Sequence, residues 1–319
     1  MKKVLISMEL TEEEKEQFRS LQNQYEDDLQ LSFFEEEKAT QQDLIGIDAA
    51  IGWLTPDSVK GSDLDWLQIA YTGVEPFTRP GALSERTILT NCPGVYGPPV
   101  CELLVTHTLN LLKQTKRFFR QQQEHTWNLI TDLRSLSGAT VLILGMGDLG
   151  RRYAKVMKAF GATTIGVRKH PDILPDGFDS QGDLSELDSL LPQADIVALF
   201  LPGGSSTKHI LDEKRLRLIK SNAILVNGGR GNCIDPIALK TVLKDGLLGG
   251  VGLDVTVPEP LPADDELWDY DRVLITPHAS GYAHMDGVME RVLSMLLENL
   301  KRYLEGEELL YKIDRSKGY

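Results

Sequence analysis

A chain of 319 residues with 41% hydrophobic and 25% charged side chains can build two domain cores, and its composition excludes the disordered and fibrous classes. The formal net charge of −13 argues against nucleic acid or an anionic membrane as partner, and any acidic ligand must meet a locally positive site. Cys92, Cys101 and Cys233 are an odd number without C-x-x-C spacing, so neither a disulfide framework nor a metal site is expected. A reducing, cytoplasmic compartment fits them. The apolar run Val4-Leu5-Ile6 is too short for a signal peptide, and no stretch reaches transmembrane length.

In chain order, Val4–Ile6 is predicted as a strand and Glu12–Gln24 as a helix. Leu44–Ile51 and Trp66–Tyr71 are predicted as strands, with Pro56 and Gly61 in the loops between. The turn-rich run from Cys92 to Pro99 closes this β-α region, for which an open parallel sheet is the default. The apolar periodicity of Val100–Phe119 predicts one long packing helix. Strands are then predicted at Thr140–Leu144, Thr163–Val167, Ala194–Leu201, Ala223–Val226, Leu248–Val255 and Val273–Thr276. Helices alternate with them, beginning at Arg151–Phe160, and a last helix spans Gly287–Leu304. This is enough for a complete doubly wound domain.

The strand Thr140–Leu144 runs directly into Gly145-Met146-Gly147-Asp148-Leu149-Gly150. A lone G-x-G-x-x-G is a weak signal, but here a strand precedes it, a helix follows, and a second strand comes next. Gly145 permits the tight turn, Gly147 lets the backbone approach a pyrophosphate, and Gly150 lets helix and strand pack closely. NAD enzymes usually place an acid about 20 residues on, to bind the ribose 2′-hydroxyl. Here that strand ends Val167-Arg168-Lys169-His170, with Arg168 lying 23 residues after Gly145. Cations in that place favour a 2′-phosphate, hence NADP(H), with NAD(H) retained as the alternative.

Three later segments each end an apolar run with a reactive side chain. They are Val226-Asn227-Gly228-Gly229-Arg230-Gly231, then Gly252-Leu253-Asp254-Val255 continuing to Glu259-Pro260-Leu261, then Thr276-Pro277-His278-Ala279-Ser280-Gly281. The Arg, the Glu and the His are spaced 29 and 19 residues apart. Hydride transfer to a keto acid needs such a set: a cation for the substrate carboxylate, an imidazole for the proton, and a carboxylate to hold the imidazole. The remaining histidines, His107, His125, His170, His209 and His284, read as structural or peripheral, and Trp268 as a packing anchor.

With the glycine turn, these segments resemble the D-isomer-specific 2-hydroxyacid dehydrogenases, in order from about Leu67 to Gly281. The resemblance implies an α/β fold of two doubly wound parallel-sheet domains. A Rossmann cofactor domain, residues 98–283, would be inserted in a flavodoxin-like substrate domain, residues 1–97 and 284–319. It implies that Arg230 binds the substrate carboxylate and polarises the keto oxygen, that His278 is the acid/base, and that Glu259 hydrogen-bonds the imidazole. Backbone groups around Thr72, Gly73 and Val74 would receive the carboxylate. Cofactor contacts would fall on Gly145, Gly147, Asp148, Leu149, Arg168, Lys169, Leu201, Pro202, Gly228 and Asp254, with Asp254 orienting the nicotinamide carboxamide. A departure follows Leu201-Pro202, where Gly203-Gly204-Ser205-Ser206 replaces the family's usual Leu-Thr.

The activity implied is NAD(P)-dependent reduction of a small 2-keto acid of the glyoxylate or hydroxypyruvate type to the D-2-hydroxy acid. Two alternatives stay open: D-3-phosphoglycerate dehydrogenase, for which only Arg79 offers a phosphate subsite, and a non-catalytic dinucleotide-sensing corepressor. A homodimer formed through the cofactor domain is expected, with Leu111–Trp127 as its surface.

Overall fold

The computed structural model describes residues 1–34, 39–171, 173–282 and 285–315. Contacts divide the chain into two units, Met1–Val95 with Ala283–Tyr319, and Tyr96–Tyr282.

The first unit is built on five parallel strands: β1 (Lys2–Ser7), β2 (Leu29–Phe34), β3 (Ala49–Gly52), β4 (Trp66–Ile69) and β5 (Ile88–Thr90). Their order is β2-β1-β3-β4-β5, the doubly wound order of flavodoxin-like sheets. Every residue of β3 and β4 is buried, as expected for central parallel strands covered on both faces. Helix α1 (Glu12–Gln24) starts at a capping box, in which Thr11 Oγ1 accepts from Glu14 N at 3.3 Å and Glu14 Oε2 accepts from Thr11 N at 2.7 Å. Short α2 (Pro56–Val59) follows β3.

The expected strand over residues 44–51 is shorter than its apolar pattern. Residues 41–46 form turns in which Asp43 Oδ2 accepts from Thr40 N at 2.7 Å and Gly46 takes a φ of 74°. Leu44 reaches the core from that turn, so its burial comes without a strand. Inside the sheet, Gln68 and Thr90 form a buried polar pair, and Asn299 of the C-terminal helix (Val288–Glu305) donates to Gln68 Oε1 at 2.7 Å. The helix is thereby tied to the middle of the sheet by a satisfied polar contact.

The second unit contains β6 (Thr140–Leu144), β7 (Thr163–Val167), β8 (Ser180–Gly182), β9 (Ile196–Leu199), β10 (Ile224–Asn227), β11 (Gly250–Leu253) and β12 (Val273–Ile275). All pairings are parallel, in the order β12-β11-β10-β9-β6-β7-β8. The winding reverses between β6 and β9, and ligands of such sheets bind outside the carboxyl ends of the strands at that point. The helices here are α3 (Gly97–Leu112), α4 (Thr115–Gln123), α5 (Asp148–Ala159), α6 (Leu187–Leu190), α7 (Glu213–Leu218) and α8 (Pro236–Lys244). One core cluster runs from Leu142 and Leu144 through Val197 and Leu225 to Val251 and Val273.

The helix expected over 100–119 is two helices. The chain breaks at Gln114, whose φ of 50° is left-handed and whose Nε2 donates to Asp132 O at 3.0 Å. Apolar periodicity continues through the break, but α4 buries none of its residues. Among the described residues, no helix is long and apolar enough to cross a membrane.

Candidate active site

The glycine turn sits where the winding reverses. Gly145 has a φ of 103°, and its N–H donates to Val167 O at 2.9 Å, which ties the turn to the end of β7. A side chain at Gly150 would collide with the Gly145 carbonyl, so this glycine is required by helix–strand contact alone. Gly147 differs: a Cβ there would meet no atom within 4 Å. The protein does not need that glycine for its own packing, and the open space lies over the N-terminus of α5, whose free N–H groups favour an anion. This is the cradle a dinucleotide pyrophosphate fits. Asp148 and Leu149 open α5, with Asp148 paired to Arg152 Nε at 2.9 Å. Leu201 and Pro202 follow β9, one strand away from β6.

Arg168 is the first residue after β7, with its N–H on Gly182 O at 3.3 Å and its Nη2 on Ile173 O at 3.3 Å. Lys169 and His170 beside it are exposed. The positive end of β7 is therefore next to the strand that feeds the glycine turn.

The three later segments converge because they end three neighbouring strands. In register, Asn227 of β10 pairs with Leu253 of β11, and Leu253 with Ile275 of β12. Arg230, Asp254 with Glu259, and His278 all lie just beyond those pairs. Fully buried Asn227 shapes the first turn: its Nδ2 donates to Arg230 O at 3.0 Å and its Oδ1 accepts from Gly229 N at 3.1 Å. Gly228 lies within it. Gly231 packs so closely on the Thr256 backbone that any side chain would collide, which joins the arginine turn to the Glu259 turn.

Glu259 Oε1 accepts from Thr256 N at 2.9 Å, and its Oε2 lies 3.0 Å from His278 Nδ1. A carboxylate only accepts, so Nδ1 carries the proton and Nε2 is the ring nitrogen left for a reacting group. The His278 side chain is 52% exposed, open to a ligand.

Asp254 does something the sequence did not reveal. It is 2% exposed. Its Oδ1 accepts from Thr276 Oγ1 at 2.6 Å and Ala279 N at 2.9 Å. Its Oδ2 accepts from Ser280 N at 3.3 Å and from the Ser280 hydroxyl. Its own carbonyl accepts from His278 N at 2.8 Å. The Asp254 carboxylate thus holds the turn that carries His278. His278 has a φ of 51°, a left-handed backbone that a non-glycine residue takes only when its surroundings impose it. Thr276, Ser280 and Asn227 are thus site residues missed by sequence reading. Asn227 was legible in principle, as an Asn before two glycines is a turn signal.

Within the first unit, a loop follows β4. Asn91 Nδ2 donates to Thr72 O at 2.8 Å, and Cys92 N to Tyr71 O at 3.1 Å. Gly73 is the next residue, and Val74 is buried in the core of this unit. Trp268 is corrected as a packing anchor: it is 45% exposed, with Nε1 on Pro262 O at 2.9 Å. His107 is the structural kind: it is buried, with Nε2 3.4 Å from Thr276 Oγ1. His284 lies outside the described residues. Among the described residues, no group of His, Cys, Asp or Glu could hold a metal ion.

Comparison with known proteins agrees with this geometry. The family model described as D-isomer specific 2-hydroxyacid dehydrogenase, NAD binding domain, matches residues 105–280. A glyoxylate reductase of Korarchaeum cryptofilum is 31% identical over 69% of this chain and 67% of its own length. A glycerate dehydrogenase of Methylorubrum extorquens is 27% identical over 77% of each. A crystal structure of a D-isomer specific 2-hydroxyacid dehydrogenase family protein from Aeromonas salmonicida has a TM-score of 0.83 and 31% identity, over 98% of this chain and 99% of that one. The chain belongs to the D-isomer specific 2-hydroxyacid dehydrogenase family and is an NAD(P)-dependent oxidoreductase.

Proposed function

We propose that the protein reduces a small 2-keto acid of the glyoxylate or hydroxypyruvate type to the D-2-hydroxy acid, with NADPH as preferred reductant and His278 as proton donor. The observation that carries this reading is the His278–Glu259 pair, 3.0 Å apart and half exposed at the end of β12, with Arg230 delivered from β10. Likeness to glyoxylate reductases supports the substrate class.

A bound nicotinamide would supply the hydride that the keto carbon takes up. As that carbon is reduced, negative charge grows on its oxygen. Arg230 stabilises the charge, and His278 gives the oxygen a proton from Nε2, leaving the neutral imidazole hydrogen-bonded to Glu259. One hydride and one proton convert the ketone to the alcohol. Arg230 would bind the substrate carboxylate, a role proposed also for the backbone N–H groups around Thr72, Gly73 and Val74. They also provide the local positive potential that a chain of net charge −13 needs for an anionic substrate.

Gly145, Gly147, Asp148 and Leu149 would hold the pyrophosphate, while Leu201, Pro202 and Gly228 line the cofactor's path along the strand ends. Arg168 and Lys169 would hold a 2′-phosphate, a planar fork and a point charge where NAD enzymes place an acid. Cys92, Cys101 and Cys233 are free and buried, which supports the cytoplasm as compartment. The exposed Phe119, Trp127 and Leu129 support a homodimer through the second unit; a monomer in sedimentation would reject that.

A spectrophotometric panel of NADH and NADPH, each with glyoxylate, hydroxypyruvate, pyruvate and phosphohydroxypyruvate, tests the whole reading. Turnover with NADPH and the small acids is expected. Turnover with NADH and phosphohydroxypyruvate alone would overturn it.

A further inference from the structure

One histidine outside the reacting set has an environment that a filler of the core would not need. His107 lies on α3 and is 3% exposed. Its Nε2 is 3.4 Å from Thr276 Oγ1. Among the described residues, its Nδ1 has no hydrogen-bond partner. The ring lies against β11 where Gly252 has no side chain; a Cβ there would come within 2.9 Å of Nδ1.

The hydrogens can be counted. Thr276 has one hydroxyl hydrogen and donates it to Asp254 Oδ1 at 2.6 Å. Thr276 Oγ1 can therefore only accept from the imidazole, so His107 Nε2 carries the ring proton and Nδ1 is bare. The chain of donors runs from His107 through Thr276 to Asp254. Asp254 in turn receives the N–H groups of Ala279 and Ser280, the two residues that follow His278 in the turn.

We propose that His107 is a positioning residue for His278: as the neutral Nε2–H tautomer it aims the Thr276 hydroxyl at Asp254 and so fixes the 276–280 turn. The proposal rests on the reading of His278 as acid/base. A leucine or phenylalanine would fill the same space without a bare nitrogen, so packing alone does not account for the imidazole. Burial holds the ring neutral by pushing its pKa down, against a smaller opposing pull from Asp254. That keeps the one tautomer the relay can use.

The test compares His107→Leu, His107→Gln, Thr276→Val and the double variant H107L/T276V. The readouts are kcat, KM for the keto acid, cofactor dissociation constant and thermal midpoint. Loosening the turn should lower kcat roughly ten- to a hundredfold while leaving cofactor affinity unchanged. Gln, which keeps an N–H donor, should recover most of the loss, and the double variant should be no worse than either single one. Equal losses in Leu and Gln, additive losses in the double variant, or an unchanged kcat in Leu would overturn the proposal. Should His107→Leu fail to fold, ring-nitrogen NMR of the intact protein still decides: a His107 Nδ1–H tautomer or imidazolium at neutral pH overturns it, and Nε2–H supports it. His278→Ala in the same assay separates the two ideas, because its retained activity would sink the acid/base reading whatever the His107 ring shows.

Discussion

The two ends of the larger sheet solve different problems with different materials. At the β10–β12 end, polar groups are buried and saturated: Asn227 closes the Arg230 turn, and Asp254 accepts from Thr276, Ala279 and Ser280. Toward the other end, after β7, Arg168 rests on a loop carbonyl and Lys169 is exposed, while after β9 Gly203-Gly204 leads into a loop closed by Thr207 Oγ1 on Pro202 O at 2.6 Å. On the proposed reading, the first end holds reacting atoms in place, where a small displacement lowers the rate steeply. On the same reading, the second grips a large ligand through charge, where solvent-screened contacts suffice and each counts for less.

The largest effect expected is at the buried end's reacting group. His278→Ala should lower the reduction rate about 10²–10⁴-fold, with cofactor binding unchanged by nicotinamide fluorescence. In the oxidation direction the same imidazole would take the proton, so His278→Ala should slow oxidation too. A variant that kept the parent's rate would show that another group donates.

Next is Asp254→Ala. Removing this carboxylate strands the Thr276 and Ser280 hydroxyls and two backbone N–H groups, each at about 1–3 kcal/mol if left buried and unmade. Calorimetry should show a Tm several degrees lower, and kcat should fall with it. A variant of unchanged stability would mean that water replaces the carboxylate, and that the two ends do not differ in this way.

Arg168→Ala addresses the exposed end. Loss of a charge-assisted contact to a 2′-phosphate is worth about 1.5–3 kcal/mol, so kcat/KM with NADPH should drop tenfold or more. Activity with NADH should hold or rise, and Tm should move little. Equal losses with both cofactors would remove the 2′-phosphate assignment.

The smallest effect is on stability against pH. Burial lowers the His107 pKa below its ordinary 6.5. In the window just below that value the unfolded chain takes up a proton that the folded chain refuses, so stability falls as pH falls. His107→Leu should flatten that part of the Tm profile by about 1–2 °C. Parallel profiles would place the relevant titration elsewhere.

Much of this was legible because it is written in local pattern. The capped helix Glu12–Gln24 and the strand Thr163–Val167 match the predicted bounds, since a capping box and an unbroken β-rich run are local signals. Apolar content misled where a residue is buried without regular structure, as at Leu44, and where periodicity crosses a break, as at Gln114. The glycine turn and the Arg230, Glu259 and His278 segments could be found because each closes a strand with a reactive residue type.

The sequence by itself determined which residue types end the strands, and hence the chemistry available and the family. Only the tertiary structure decided what those residues lean on. Asp254 reads in one dimension as a cofactor ligand and His107 as a core residue. Parallel register brings β11 and β12 together, and α3 supplies the ring that meets Thr276 beside them. Hydrogen bonds between residues 22 and 169 positions apart leave no periodicity to read, because the partners share an environment and not a segment.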